Sequence, residues 1–430
     1  MISLKNLIYT ILFLLINLDY ISCKNLGDNF ISFTDDEIIR TITSDNEDEF
    51  IDAIGQLNNN GGTIYIDTSV ITLEKNMAVE INGNLPGGII GIRQSNGEYP
   101  RFIFNLKNQL YSGFNIYGSN KFIEYVIIEN SPDNGFSVMG DNNILDHVIS
   151  RYNYGSGFDI YGDFNTLNYC YSYRNCDAKS FFRKADGFHI YGEVNNIFNY
   201  CFAWDNANTG FNYDRIWNSS ELSYLHSGSW NNGNINVFTG RYDYDNGSPL
   251  DKNLWSIKEI IQSDPNFVSN YYNKKYNIDN AYIDGLTVKQ WIAKTNPLMD
   301  GNGFTFGNRN SSQSIDVKRN ALYCVSFDHK EGGFIDNYNH KYNAYFTNCA
   351  SFNNNINYNL PYTFSKWINN WSWGSKNVDK LNKVTAKKPS NSNTIQNLFN
   401  SEKNQIIRAV SANMFPDGIN FDIGLSRLKG

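Results

Sequence analysis

Four short stretches decide how this chain reads: Gly113-Phe114-Asn115-Ile116-Tyr117-Gly118, Gly135-Phe136-Ser137-Val138-Met139-Gly140, Gly157-Phe158-Asp159-Ile160-Tyr161-Gly162 and Gly187-Phe188-His189-Ile190-Tyr191-Gly192. The first three begin 22 residues apart, and the fourth follows after 30. In each, Phe and Ile or Val stand two residues apart. On an extended strand they share one face, and the residue between them faces solvent. The Gly-Phe pair returns at Gly210-Phe211, Gly303-Phe304 and Gly333-Phe334. A second strand closes each unit: IEYVIIEN (123–130), LDHVISRYN (145–153), LNYCYSYRN (167–175), FNYCFAWDN (198–206), and later LYCVSFDH (322–329) and FTNCASFN (346–353). One such unit cannot bury its own apolar face, but stacked coils build a continuous core. No helical period of 3.6 runs through the repeat. The pattern predicts a single-stranded right-handed parallel β-helix, all-β, with a helical cap at its N-terminal end.

Composition fits that reading. At 430 residues the chain exceeds what one globular core normally serves, so it is either two domains or one elongated repeat domain. Aromatic content of 15% with only 18% charged residues suits stacked strands better than helices. A net charge of −7 argues against nucleic acid or an anionic membrane as partner.

Working outward, Lys5, the apolar run Leu7–Leu18 and Ile21-Ser22-Cys23 read as a signal peptide over 1–23, which predicts a secreted protein with no membrane segment after cleavage. The β-helix domain is expected over 24–375, with a lateral insertion at about 247–300, and 376–430 as a C-terminal extension or cap. Asp45–Asn58 reads as an amphipathic helix covering the open end of the coil, followed by a strand over Gly61–Ile66. Within the insertion, Trp255–Ser263 and Thr287–Lys294 look helical. Removal of Cys23 leaves Cys170, Cys176, Cys201, Cys324 and Cys349, an odd number. Stacked inward, they act as small hydrophobes, so few or no disulfides are expected. Asn153, Asn175, Asn206 and Asn354 each follow five residues after a column of Val or Cys, which predicts an asparagine ladder at a turn.

With the coils in register, Ser172–Phe211 reads SYRNCDAKSFFRKADGFHIYGEVNNIFNYCFAWDNANTGF. This stretch resembles the pectate lyases of polysaccharide lyase family 9, with their SYxNxD turn, extended loop, (A/V)DGF strand and CxA(W/Y)xN strand. GNGFTFG (301–307), VSFDHKEGGFIDN (325–337) and NCASFNNNINY (348–358) resemble downstream coils of the same family. The resemblance implies cleavage of polygalacturonate by β-elimination, with Ca2+ as cofactor. Calcium needs several oxygen ligands. It would bridge carboxylates to the sugar's C6 carboxylate and acidify the C5 proton for a basic side chain. Asp177, at the SYxNxD turn, and Asp186, before Gly187-Phe188, are the metal-ligand candidates.

The outward columns supply the other candidates. Asp159, Tyr161, His189, Tyr191 and Asp214 fall on adjacent coils and predict one patch for sugar binding. Arg183 and Lys184 are candidates for binding sugar carboxylates and alternative candidates for the base. Where the family has DDG(W/F/Y)D, this chain has Asn208-Thr209-Gly210-Phe211-Asn212, so three acidic positions are neutral. No lysine stands in the DGF strand or in 212–217, which leaves Arg215 as the nearest cation and candidate base. Two other functions remain open: a non-catalytic carbohydrate-binding or cell-surface β-helix, and a glycoside hydrolase using Asp159 with Asp186 or Asp214 as paired carboxylates. A capped solenoid of this kind is expected to be a monomer acting on an acidic polysaccharide.

Overall fold

The computed structural model describes residues 38–390, apart from 76, 84, 105–111, 154, 176–184, 192–193, 214–220, 234–300, 307–317, 337–342 and 361–363. Short strands recur in threes, and each strand pairs in parallel with its counterpart in the next coil. One coil consists of Phe136–Val138, Ile144–Asp146 and Ile149–Arg151, and the next of Phe158–Ile160, Thr166–Asn168 and Tyr171–Tyr173. Repetition makes three parallel sheets of 11, 10 and 10 strands. This is the expected right-handed parallel β-helix.

The inward Phe column is one continuous row: Phe114, Phe136, Phe158, Phe188, Phe211, Phe304, Phe334 and Tyr358, in register through the sheet. Neighbouring rings lie 4.6 to 5.5 Å apart. All are fully buried, and each contributes about 1.5–3 kcal/mol of hydrophobic stabilisation. Ile116, Val138, Ile160 and Ile190 form the row beside them.

Glycine before each Phe has a local cause. Ser172 donates its hydroxyl to the Gly187 carbonyl at 2.7 Å, and Ser150 to the Gly157 carbonyl at 2.8 Å. These serines point into the coil, directly under the glycine of the preceding one. A Cβ on Gly157 would stand 1.9 Å from Ser172 Oγ, so no larger residue fits.

The asparagine ladder forms as expected and runs further than the sequence indicated. Asn153 Nδ2 donates to Asn175 Oδ1 at 2.9 Å, Asn175 Nδ2 to Asn206 Oδ1 at 2.9 Å, and Asn206 Nδ2 to Asn232 Oδ1 at 3.1 Å. His329 takes the next rung. Its Nδ1 accepts the Asn232 N–H at 3.3 Å, and its own N–H donates to Asn354 Oδ1 at 2.8 Å. At another turn the sequence reading missed a ladder of rings: Tyr125, His147, Tyr169, Tyr200, His226 and Tyr323 stack at 4.6 to 4.9 Å. All six have positive φ, between 49° and 56°. Their signal was available: an aromatic residue precedes each member of the Val126, Val148, Cys170, Cys201, Ser227, Cys324 column.

The cap is helix α1, Glu47–Asn60. It starts two residues later than the apolar pattern suggests, because Asn46 is the N-cap and accepts the Glu49 N–H, while Asp45 accepts the Thr72 N–H. Phe50, Ala53, Ile54 and Leu57 close the end of the core, with the Phe50 ring 4.9 Å from Phe102. The following strand is Gly62–Ile66. At the other end, Lys380–Leu381 still pairs with Asn359 and Leu360, so coil pairing continues past residue 375. Cys170, Cys201, Cys324 and Cys349 are buried free thiols. Residues 1–23, expected to be a signal peptide, the expected insertion at 247–300 with the stretches expected to be helical, Cys176 and the chain beyond 390 lie outside the described residues. Among the described residues no helix is long and apolar enough to cross a membrane.

Candidate functional site

The outward residues of the Gly-Phe strands stand in one column, set by the register: Asn115 against Ser137, Ser137 against Asp159, Asp159 against His189, and His189 against Asn212. Outward does not mean solvated here. Ser137, Asp159 and His189 are 2%, 5% and 9% exposed, which corrects the expectation of a solvent-facing row. Asn134 Nδ2 donates to Asp159 Oδ2 at 2.9 Å, and Asp159 Oδ1 lies 3.3 Å from His189 Nδ1.

Beside this pair stand the two tyrosines that follow the strands. The Tyr161 and Tyr191 rings stack at 4.7 Å with 13° between their planes, and the His189 ring is 4.2 Å from that of Tyr191. Tyr161 is 38% exposed and presents the open side of the stack. Burial of its hydroxyl, and next the charge of Asp159, push the Tyr161 phenol well above its ordinary range, so it keeps its proton. Coil geometry thus brings together four of the sugar-binding candidates: Asp159, Tyr161, His189 and Tyr191. Asp214, Arg183, Lys184, Arg215 and Asp177 lie outside the described residues.

Asp186 sits one turn away at the mouth of the same strand and is 1% exposed. Its Oδ1 accepts the Thr209 N–H at 2.9 Å, and its Oδ2 accepts Asn212 Nδ2 at 2.9 Å. Asn212 in turn accepts the Thr305 hydroxyl at 3.0 Å. Thr209 donates through its backbone N–H, which any residue at that position but proline would offer, whereas Asn212 donates through its side-chain amide. Calcium takes six to eight oxygens. The described residues do not by themselves fit it: Asp186 alone is present, already held by two protein donors. Among the described residues no group of three or more His, Cys, Asp or Glu converges. Sequence reasoning found Asp186 but missed its donors and missed Asn134, whose only signal is its place two residues before a repeat Phe.

The family model described as "Pel9A-like, right handed beta helix region" matches residues 34–248, which contain this whole column up to Asn212. The chain belongs to the Pel9A-like right-handed β-helix family. Two solved structures share the Pel9A-like fold over most of its length. One is the crystal structure of pectate lyase Pel9A, 19% identical, with a TM-score of 0.56, covering 82% of this chain and 80% of that one. The other is a rhamnogalacturonan lyase, 16% identical, with a TM-score of 0.54, covering 82% and 86%. At those identities the likeness establishes the fold. No curated protein matches the sequence.

Proposed function

We propose that this protein is a secreted, monomeric polysaccharide lyase that cleaves a polyuronate such as polygalacturonate by β-elimination. The reading rests above all on one observation: a buried Asp159–His189 contact lies beside the Tyr161–Tyr191 stack on the coil face. Family membership supports it, since pectate and rhamnogalacturonan lyases share this architecture. Flat tyrosine faces pack against sugar rings, and Tyr161 presents the open side of such a stack. Calcium on Asp177 and Asp186 belongs to this reading as the resemblance implies it, and no step here is routed through it. Lys184 would bind the sugar carboxylates, and Asp214 would extend the patch. Arg215 is the base that the sequence favours.

The test is an assay on polygalacturonate and rhamnogalacturonan at alkaline pH, following absorbance of the unsaturated product, with calcium or with chelator. Rising absorbance supports a lyase. New reducing ends without absorbance would instead mean a hydrolase, and binding without either would mean a non-catalytic β-helix. A rise that chelator abolishes supports the calcium ligands, and one that chelator spares removes them.

A further inference from the structure

We propose that Tyr117, Met139, Tyr161 and Phe164 form the part of the polymer-binding face that takes uncharged sugars, either methyl-esterified uronates or neutral units between uronates. This inference rests on the acidic-polysaccharide reading above and adds which of the polymer's sugars lie on these coils.

The argument begins with register. Ile116, Val138, Ile160 and Ile190 are partners on neighbouring strands. The residue after each donates its N–H one coil back: Tyr117 to the Ile81 carbonyl, Met139 to Ile116, Tyr161 to Val138 and Tyr191 to Ile160, at 2.7 to 3.0 Å. Tyr117, Met139, Tyr161 and Tyr191 therefore stand one per coil, about 4.8 Å apart. The row runs straight into the Tyr161–Tyr191 stack and is open to solvent, with Tyr117 47%, Met139 40% and Tyr161 38% exposed. Large apolar groups left in water on consecutive coils make a ledge against which the C–H face of a pyranose packs.

Phe164 is a second, independent observation. It has a φ of 56° at a turn position where the neighbouring coils place Asn120, Asn142 and Asn195, with φ between 54° and 59°. Asparagine tolerates this left-handed backbone, whereas a bulky ring is strained in it. The ring is 48% exposed and, unlike the ladder from Tyr125 to Tyr323, has no ring partner among the described residues. Strain without packing, on the turn that follows Tyr161, is the mark of a binding position.

Charge decides which sugars fit. Asp141 and Asp163 stand on the turns beside the row, where Asp141 Oδ1 accepts the Asp163 N–H at 2.8 Å. Glu80 is exposed and pairs with Asn115 on the coil of Tyr117. The charges of Asp159 and Asp133 both reach the Tyr161 hydroxyl. Between Ser112 and Tyr173 the chain has two cations, Lys121 and Arg151. Lys121 is 1% exposed with its amine on the Leu85 carbonyl, and Arg151 is bound to Glu129 on another sheet. A free uronate on the ledge meets carboxylates and none of these cations. An ester or a neutral sugar removes that repulsion and keeps the apolar contact.

The experiment is calorimetric binding of the full chain, in chelator at pH 7, to polygalacturonate, methyl-esterified polygalacturonate and rhamnogalacturonan of matched length. At low salt one or both of the latter should bind about tenfold more tightly than polygalacturonate, and the gap should shrink as salt screens the acids. Preference for the esterified polymer identifies the ester, and preference for rhamnogalacturonan identifies the neutral sugar. Tyr117→Ala and Phe164→Asn should each weaken the preferred polymer about three- to tenfold and polygalacturonate less than about twofold. Phe164→Asn restores the amide of the neighbouring coils, so its thermal melt should be no lower than that of the wild type. Glu80→Gln with Asp141→Asn, which keeps an acceptor for the Asp163 N–H, should tighten polygalacturonate about threefold and leave the preferred polymer unchanged. Equal wild-type affinities for the three polymers, or wild-type-like binding by both the Tyr117 and Phe164 variants, would overturn the assignment. Unsaturated product without the preference would leave the lyase reading standing alone, and the preference without product from any polymer would do the reverse.

Discussion

Asn212 donates its side-chain amide to Asp186 Oδ2 across one coil, at 2.9 Å. This bond joins two adjacent Gly-Phe coils and puts an amide where the resemblance has an acid. Asn212→Asp replaces a donor with a like charge and leaves a buried carboxylate short of a partner, at a cost of about 1–3 kcal/mol. The expected outcome is a Tm lower by several degrees in chelator, recovered by millimolar calcium to a greater extent than the wild-type Tm rises. Equal calcium shifts in the two proteins would show that the 186/212 turn does not govern metal affinity.

Gly157 and Ser172 occupy the same volume from opposite sides. Gly157→Ala should cost about 1–3 kcal/mol, because its Cβ would stand 1.9 Å from Ser172 Oγ and 2.9 Å from Asn175 Nδ2. Combining it with Ser172→Ala removes the nearest clash, so the double variant should lose less than the two single losses added together. Urea unfolding of the four proteins measures this, and strict additivity would contradict the contact.

Asn206 sits mid-ladder, fully buried. It accepts from Asn175 and donates to Asn232 Oδ1 at 3.1 Å and to the Ser172 carbonyl at 3.1 Å. Asn206→Ala leaves buried groups on three coils unsatisfied, and a loss of about 2–4 kcal/mol is expected from several such groups. Asn206→Asp should also destabilise, since a carboxylate cannot donate to the Asn232 oxygen. Chemical denaturation midpoints decide it.

His329 gives the ladder a pH dependence. Burial pulls its pKa down from 6.5 to about 3. The ring is used as a neutral one: Nδ1 accepts the Asn232 N–H, and Nε2 stands 3.0 Å from the Ser229 carbonyl, which it can reach only as a donor. Below pH 6.5 the unfolded chain binds a proton that the folded one refuses. Stability contributed by this site is therefore complete above pH 6.5 and is lost progressively as pH falls towards 3. At pH 5 the loss from this site is about 2 kcal/mol. His329→Asn, which continues the amide ladder, should narrow the stability difference between pH 7 and pH 5 by about that amount in urea titrations. An unchanged difference would mean the ring is protonated in the fold.

Much of the architecture was legible because a solenoid is periodic. Each strand's environment is set by its own coil position, so Phe114, Phe136, Phe158 and Phe188 announce the inward face by spacing alone, and Asn153, Asn175 and Asn206 announce the ladder. The outward column was legible too, since Asp159 and His189 share a repeat position. Its burial was not. A strand pattern says which way a side chain points, whereas its surroundings depend on residues such as Asn134, which reaches Asp159 across coils, and Tyr191, which lies against His189. The ring ladder through Tyr125 and His147 went unread because aromatic residues usually signal a core, and these sit at left-handed turns.

The sequence by itself determined the coil repeat, its inward faces and the pairing order of successive strands, because side-chain alternation and hydrophobic burial act locally and recur. Only the tertiary structure decided that Asp186 is held by Thr209 and Asn212, that Asp159 faces His189, and that His329 replaces an amide in the ladder. Those contacts join residues 23 to 97 positions apart, and their geometry follows from how the coils stack.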